Sequence, residues 1–559
     1  MLEVPGLIRH CLADFETLGT TTMTGMIGER VYLFDTTLRD GAQTQGVDFN
    51  PADKEAIACE LDAIGIDYVE GGWPGANPTD DSFFANPPKL KRAKMVAFGM
   101  TRRPGRSPEN DPGLTGILAP DIPGVCMVGK TWDFHVDVAL EIEHEENIRM
   151  ISDSVAHACT RKEEVMFDAE HFFDGYKSNP AFALSCLKAA LEGGARWIVL
   201  CDTNGGTLPH EVTQIVGDVI EHIPGEKLGI HAHDDTGNAI ANSLAAVRAG
   251  ARQVQGTLNG LGERCGNANL IAVIPSLMLK MGYTTNVAPE DMQKLTHISR
   301  MLDERLNQAP RRASAYVGEA AFAHKGGLHV SAVEKDPRTY EHIDPALVGN
   351  QRHIVVSDQS GRSNILARFR EVGIDIDPKD KQVGRLVEIV KENEFNGYAY
   401  DGAEASFELL ARRALGTVPE YFRCTSFRVI DERRWDAKHD LVTLSEATVK
   451  LSVGEAEYMT VAEGNGPVNA LDAAIRKVLV DMYPSLAGLR LVDYKVRILT
   501  PGDGTRAITR VMIESADETG HRWSTVGVSP NIIDASYNAL RDSLVYKLYR
   551  DGAEEPSGA

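Results

Sequence analysis

Eight short apolar runs recur through the first half of the chain: VYLFD (31–35), YVEGG (68–72), MVAFG (95–99), VCMVG (125–129), EVMFDAE (164–170), WIVLCD (197–202), LGIHAHD (228–234) and QVQGT (253–257). Each is too short for a helix and rich in β-branched or aromatic residues, so each predicts a buried strand. Between them stand segments such as ADKEAIACELDAIG (52–65) and NPAFALSCLKAALEGGA (179–195). Their apolar residues return at helical spacing and the segments close on glycine, the signature of helices. Strand–helix alternation repeated eight times implies parallel strands with crossover helices. Eight units over about 230 residues predict an α/β fold of the (β/α)₈ TIM-barrel type rather than an open sheet.

The pattern then changes twice. Residues 290–420 read as helical, with charged clusters and little strand signal. From about residue 421, ATVKLSV, YKVRILT, TRVMIES and RWSTVGV alternate as half-buried strands do. Two helices, GPVNALDAAIRKVL (466–479) and SPNIIDASYNALRDSL (529–544), share one layout, which implies an internal duplication. The expected organisation is an N-terminal extension at 1–28, a catalytic barrel at 29–290, a helical linker at 291–420 and a C-terminal α+β domain at 421–552.

Composition narrows the function classes. Net charge is −22, from 58 basic and 80 acidic residues, which argues against a nucleic-acid or anionic-membrane surface. The eight cysteines form no CxxC pair, as expected of reduced thiols in a cytoplasmic chain. No apolar stretch is long enough to span a bilayer. The first 28 residues lack the basic-then-apolar layout of a signal peptide. The patterned chain begins near Val31, so Met23 or Met26 is an alternative start.

A barrel places its chemistry at the C-terminal ends of its strands. The polar residues there are Arg39 and Asp40 after strand 1, Glu170 at strand 5, Asp202-Thr203-Asn204 at strand 6, His231 and His233 at strand 7, and Asn259 to Asn267 after strand 8. Strand side chains alternate, so His231 and His233 share a face and both imidazoles can address one ion, with Asp40 as a hard third ligand. A pair of hydrogen-bonded core histidines fits the same HxH spacing. Gly260, Gly262 and Gly266 make a loop whose amides can cradle an anion or admit a cofactor; a plain turn is the simpler reading. Cys265 has no evident partner and reads as a packing thiol. His324 and His329 flank a glycine turn outside the barrel and suit acid–base work, or are surface histidines.

Four stretches in order, DTTLRDGAQ (35–43), HAHDD (231–235), GLGERCGN (260–267) and AFAHKGGLH (321–329), resemble the acyl-CoA-condensing α-keto-acid synthases of the DRE-type TIM barrels, the family of 2-isopropylmalate, homocitrate and citramalate synthases. The likeness runs from about Val31 to the C-terminus. EGGWPGANP (70–78), GKTWDFHV (129–136) and HKGGLHVSAV (324–333) look most like the long-chain citramalate branch. The resemblance implies a metal-assisted Claisen-type condensation of acetyl-CoA with pyruvate in isoleucine biosynthesis. It implies Asp40, His231, His233 and Asn267 as ligands of a divalent metal (Mg²⁺, Mn²⁺ or Zn²⁺). Arg39 would stabilise the growing negative charge and Gln43 and Thr203 would position the keto acid. The glycines 260, 262 and 266 would border a cofactor. His324 would serve as base, with Glu170 and Tyr340 as polar helpers. A homodimer is expected, in which a neighbouring subunit can supply His324. An isoleucine effector is expected at a C-terminal regulatory domain, with neither nucleic acid nor membrane as partner. The rival readings are the same reaction on 2-oxoisovalerate or 2-oxoglutarate, a lyase running the reverse cleavage, and a non-catalytic amino-acid sensor that kept the barrel.

Overall fold

The computed structural model describes residues 28–354, 362–374, 376–377, 380–435 and 441–556. Most of the N-terminal extension, with Met23 and Met26, lies outside the described residues. Eight parallel strands close into a barrel: β1 (Tyr32–Asp35), β2 (Tyr68–Gly72), β3 (Lys94–Met100), β4 (Gly124–Lys130), β5 (Glu164–Glu170), β6 (Trp197–Asp202), β7 (Leu228–Ala232) and β8 (Gln253–Gly256). β8 pairs with β1 through Tyr32↔Gln253 to Asp35↔Gly256, which completes the ring. The strands read as nearly unbroken apolar runs because helices cover one face and the barrel interior the other.

The helices start and stop where the sequence says. In Pro51–Ile64, Asn50 and Asp53 form a capping box, proline occupies the first turn, and Gly65 ends the helix at φ 98°. Pro180–Gly193 repeats the device with Asn179 as cap and Gly194 at φ 100°. The barrel interior is filled by Phe34, Tyr68, Val96, Phe98, Cys126, Met166, Trp197, Val199 and Cys201. Two residues further along the same strand faces, the interior turns polar at Thr36, Glu70 and Asp168, and β7 and β8 add His231 and Gln255. An apolar plug thus lies beneath a polar rim.

The chain divides into two compact units. The first holds the barrel, the helix Leu295–Arg305 and the segment 344–351. The second holds 323–343 and the chain from Arg352 onward. In the second unit β9 (Ala323–His324) pairs in parallel with β10 (His353–Ile354). Three antiparallel strands, β11 (Arg423–Trp435), β12 (Leu441–Val453) and β13 (Ala456–Gly464), precede the helix Pro467–Met482. The arrangement repeats as β14 (Arg490–Ile498), β15 (Thr509–Ala516), β16 (Arg522–Ser529) and the helix Ile532–Arg550. The duplicated unit therefore has three strands and a helix. β11 and β13 were not among the strands the sequence pattern predicted; most of their residues are exposed or half-buried. Among the described residues no helix is long and apolar enough to cross a membrane.

Candidate active site

The rim is built from the turns that end β1, β7 and β8. After Asp35 the chain folds back so that the Arg39, Asp40 and Gly41 amides all donate to the Thr36 carbonyl. Asp35 is fully buried and locks this turn by accepting the Thr37 amide and hydroxyl, each at 2.9 Å. The Leu258 amide donates to Thr37 Oγ1 at 2.8 Å and ties the β1 turn to the β8 loop.

Arg39 is held on three sides. Its Nε donates to Glu70 Oε2 at 2.7 Å, its Nη1 meets Asp40 Oδ2 at 2.9 Å, and its guanidinium lies 3.9 Å over the Phe98 ring. Burial alone would make the guanidinium easier to deprotonate, but the Glu70 and Asp40 carboxylates hold it firmly charged. Asp40 sits well below the usual carboxylate range: burial opposes its ionisation, and the Arg39 guanidinium beside it overcomes it. Burial pushes Glu70 up, and Asp168 adds to that push against Arg39.

His231 Nε2 lies 3.4 Å and His233 Nε2 3.9 Å from Asp40 Oδ2. The other nitrogen of His231, Nδ1, is 2.7 Å from Gln255 Oε1, and Gln255 Nε2 donates to Asp168 Oδ1 at 3.1 Å. An amide oxygen only accepts, so His231 Nδ1 carries the hydrogen and Nε2 is left as a ligand lone pair. Burial pushes His233 down to about 3 and keeps it neutral.

Asn267 is brought in by the β8 loop. It bridges to His233, and its Nδ2 lies 3.3 Å from His231 Nε2. Glycine is needed here on steric grounds. Gly262 has φ 156°, and a Cβ on it would meet Asn267 Oδ1 at 2.4 Å; Gly266 has φ 93°, and a Cβ on it would meet the Gly260 carbonyl at 2.0 Å. Two of the three loop glycines are thus explained by the loop's own closure around Asn267.

The donor set fits a divalent cation. Asp40, His231 and His233 each offer a ligand atom within 4.8 Å of the others. Asp40 Oδ1, His233 Nδ1 and Asn267 Oδ1 are buried with no hydrogen-bond partner among the described residues. Three buried carboxyls, Asp40, Glu70 and Asp168, face the single guanidinium of Arg39, a charge imbalance that a dication would offset.

The remaining candidates fall into two groups. Thr203 Oγ1 accepts the His171 amide at 2.8 Å at the end of β6, and Arg264 fastens the Thr203 carbonyl to the β8 loop at 2.7 Å. Gln43 is exposed on the turn after Asp40. Glu170 ends β5 with Lys130 Nζ on its Oε2 at 2.5 Å. His324 and Tyr340 belong to the second unit. There His324 Nε2 lies 3.1 Å from Glu341 Oε1, and Arg352 grips both oxygens of Glu341. Tyr340 is half exposed, its ring 4.2 Å from that of His329. Glu70, Asp168, Gln255 and Glu341 were not singled out from the sequence. Asp168 stands two residues before Glu170, so strand alternation carried a signal for it. Glu341 follows Tyr340 in an irregular loop and offered none.

The barrel and the chain that follows it match known families along most of their length. Residues 30–302 match the HMGL-like family, residues 316–396 the "Homocitrate synthase post-HMGL domain-like" family, and residues 401–548 the "LeuA allosteric (dimerisation) domain". An (R)-citramalate synthase of Aquifex aeolicus is 52% identical over 94% of this chain and 99% of its own length. That of Geobacter sulfurreducens is 52% identical over 95% and 99%. A 2-isopropylmalate synthase of Dictyoglomus turgidum is 29% identical over 91% and 96%. The chain belongs to the (R)-citramalate synthase family.

Proposed function

We propose that the barrel rim condenses acetyl-CoA with pyruvate and water to give (R)-citramalate and CoA, with Asp40, His231, His233 and Asn267 holding a divalent ion. The chain is an acyltransferase of the condensing class. The observation that carries the site assignment is the convergence of Asp40, His231 and His233 beside Arg39. When bound, the ion supplies Lewis-acid polarisation of the keto acid. Two imidazoles, a carboxylate and an amide oxygen accept Mg²⁺, Mn²⁺ or Zn²⁺.

Arg39, clamped by Glu70 and Phe98, presents a preorganised positive charge to the ketone oxygen as that oxygen turns negative. Thr203 Oγ1 already accepts the His171 amide, so its own hydrogen is available for the pyruvate carboxylate, with Gln43 as a second positioning group. His324, oriented by Glu341, takes a proton from the acetyl methyl. The methyl carbon bonds to the ketone carbon, and the ketone oxygen takes up a proton. Glu170 and Tyr340 assist the water that opens the thioester and releases the CoA thiol.

The C-terminal domain is assigned to dimerisation and to binding an isoleucine effector, in a cytoplasmic enzyme of isoleucine biosynthesis. Its two helix starts are unequal. Asn531 caps the second helix by accepting the Ile533 amide at 2.9 Å, whereas Gly466 leaves the first without a side-chain cap. The first helix start is therefore the one with amides left for an effector carboxylate. Addition of millimolar isoleucine to the full chain tests this, and unchanged turnover refutes it.

The substrate is tested by free-CoA release across a keto-acid panel. Pyruvate is expected to exceed 2-oxoisovalerate and 2-oxoglutarate in kcat/KM. Some turnover of 2-oxobutyrate is expected, since one methylene is worth only about 1–3 kcal/mol in an apolar pocket. A preference for 2-oxoisovalerate would overturn the assignment.

A further inference from the structure

A second cluster of ligand-type side chains lies at the rim, on the turns that follow β4 and β5. His135, Glu170 and His171 each offer a donor atom within 4.8 Å of the others, and all three are half-buried. His135 closes a single helical turn, Asp133–His135, just past the end of β4. Its ring stacks on Trp132 at 5.0 Å and meets the His171 ring edge-on at 4.5 Å. Its Nδ1 is buried and has no hydrogen-bond partner among the described residues. That is a desolvated lone pair or N–H with nothing to meet it, which normally costs stability unless something occupies the site.

His171 is arranged as a ligand from behind. Its Nδ1 lies 3.0 Å from Asp174 Oδ2, and that same oxygen accepts Asn204 Nδ2 at 3.0 Å. A carboxylate on Nδ1 fixes the hydrogen there and turns Nε2 outward as a lone pair, the outer-shell pattern of metal-binding histidines. The backbone is bent to achieve this: His171 has φ 53°, in the left-handed region, and its amide is anchored on Thr203 Oγ1. His171 is adjacent in sequence to Glu170, and without that φ the two side chains would leave the strand on opposite faces.

We propose that His135, Glu170 and His171 form a second divalent-metal site, separate from the Asp40–His231–His233 site. Two imidazoles and one carboxylate select borderline transition-metal ions such as Zn²⁺, Co²⁺, Ni²⁺ or Cu²⁺ over Mg²⁺ or Ca²⁺. Three protein ligands leave one or more positions for water. Lys130 Nζ, 2.5 Å from Glu170 Oε2, competes for the carboxylate, so this site binds more weakly than the first. Occupancy draws Glu170 away from the thioester-opening step. That consequence rests on the reaction proposed above; the binding does not.

The test is equilibrium dialysis of Co²⁺ against the metal-stripped full-length protein with no other divalent ion present, with the d–d absorption of bound Co²⁺ as a second readout. The wild type is expected to take two equivalents per chain. His135→Ala and His171→Ala are each expected to take one, and the retained equivalent shows that the barrel is folded. Asp40→Ala is expected to lose the other equivalent and keep this one. Saturation of the wild type at one equivalent, or two equivalents in both histidine variants, overturns the proposal. A second equivalent that disappears in the histidine variants but never affects turnover upholds the site and removes Glu170 from the reaction.

Discussion

Replacing Glu70 by glutamine separates the role of Arg39 in catalysis from its role in stability. Glu70 is fully buried, accepts Arg39 Nε at 2.7 Å and Thr36 Oγ1 at 2.5 Å, and leaves Oε1 without a hydrogen-bond partner among the described residues. Deleting one member of a buried ion pair costs about 3–5 kcal/mol, because the other charge is stranded. Glutamine is milder. Its amide oxygen still accepts from Arg39 and Thr36, Asp40 still pairs with Nη1, and the cost of burying the Glu70 carboxylate disappears. The net loss of stability should therefore fall to about 1–3 kcal/mol, the range of a weakened charge-assisted hydrogen bond. Catalysis should suffer more. An Arg39 held by a neutral amide in place of a carboxylate is less rigidly aimed as charge develops, and the loss in kcat is bounded above by the about 10²–10³ that removing such a donor outright costs. Free-CoA release at saturating pyruvate and acetyl-CoA measures kcat, and a thermal melt measures the stability change. A Glu70→Gln variant within twofold of the wild-type kcat would refute the view that Glu70 aims Arg39 at the reaction.

Asp40→Ala or His233→Ala should abolish turnover while leaving the far-ultraviolet circular dichroism unchanged, and chelation should do the same reversibly; full activity of the rigorously metal-free protein would refute the metal assignment. Glu341→Gln should lower kcat at least about tenfold with little change in KM for pyruvate, since it removes the group that orients His324; an unchanged kcat would exclude His324 as a Glu341-oriented base. Burial pushes the Asp35 carboxyl up to about 7, so the native chain binds this proton more tightly than the unfolded chain. The resulting stability is fully present below about pH 4 and is lost as pH rises through 7, an effect of at most about 4 kcal/mol. Asp35→Asn should therefore gain on the wild type in melting temperature between pH 4.5 and pH 8, and a constant difference across that range would refute the shift.

Local pattern and tertiary assembly divide the account of this protein between them. The strand–helix alternation was readable because it is a local property: eight short apolar runs, each followed by a helical repeat with its caps, leave few ways to bury their faces. The shared face of His231 and His233 follows from strand alternation alone. The duplication of the two C-terminal helices was readable from their shared layout, whereas the inequality of their starts, capped at Asn531 and uncapped at Gly466, came only from the structure. What the sequence could not determine was which side chains meet across the closed ring. Asp40 lies some 190 positions before His231, and only closure of β8 onto β1 sets the β1 turn beside the histidine pair. Glu70, Asp168 and Gln255 look like ordinary strand residues until the register of neighbouring strands stacks them beneath the rim. β11 and β13 were not read from the pattern although the equally exposed β14 was, so exposure alone does not decide which strands are legible. Tertiary structure decided these matters for one reason. Side-chain direction is fixed by the backbone one residue at a time, whereas hydrogen-bond partners, desolvation and the pKa shifts that follow depend on chain segments that meet only when the barrel closes.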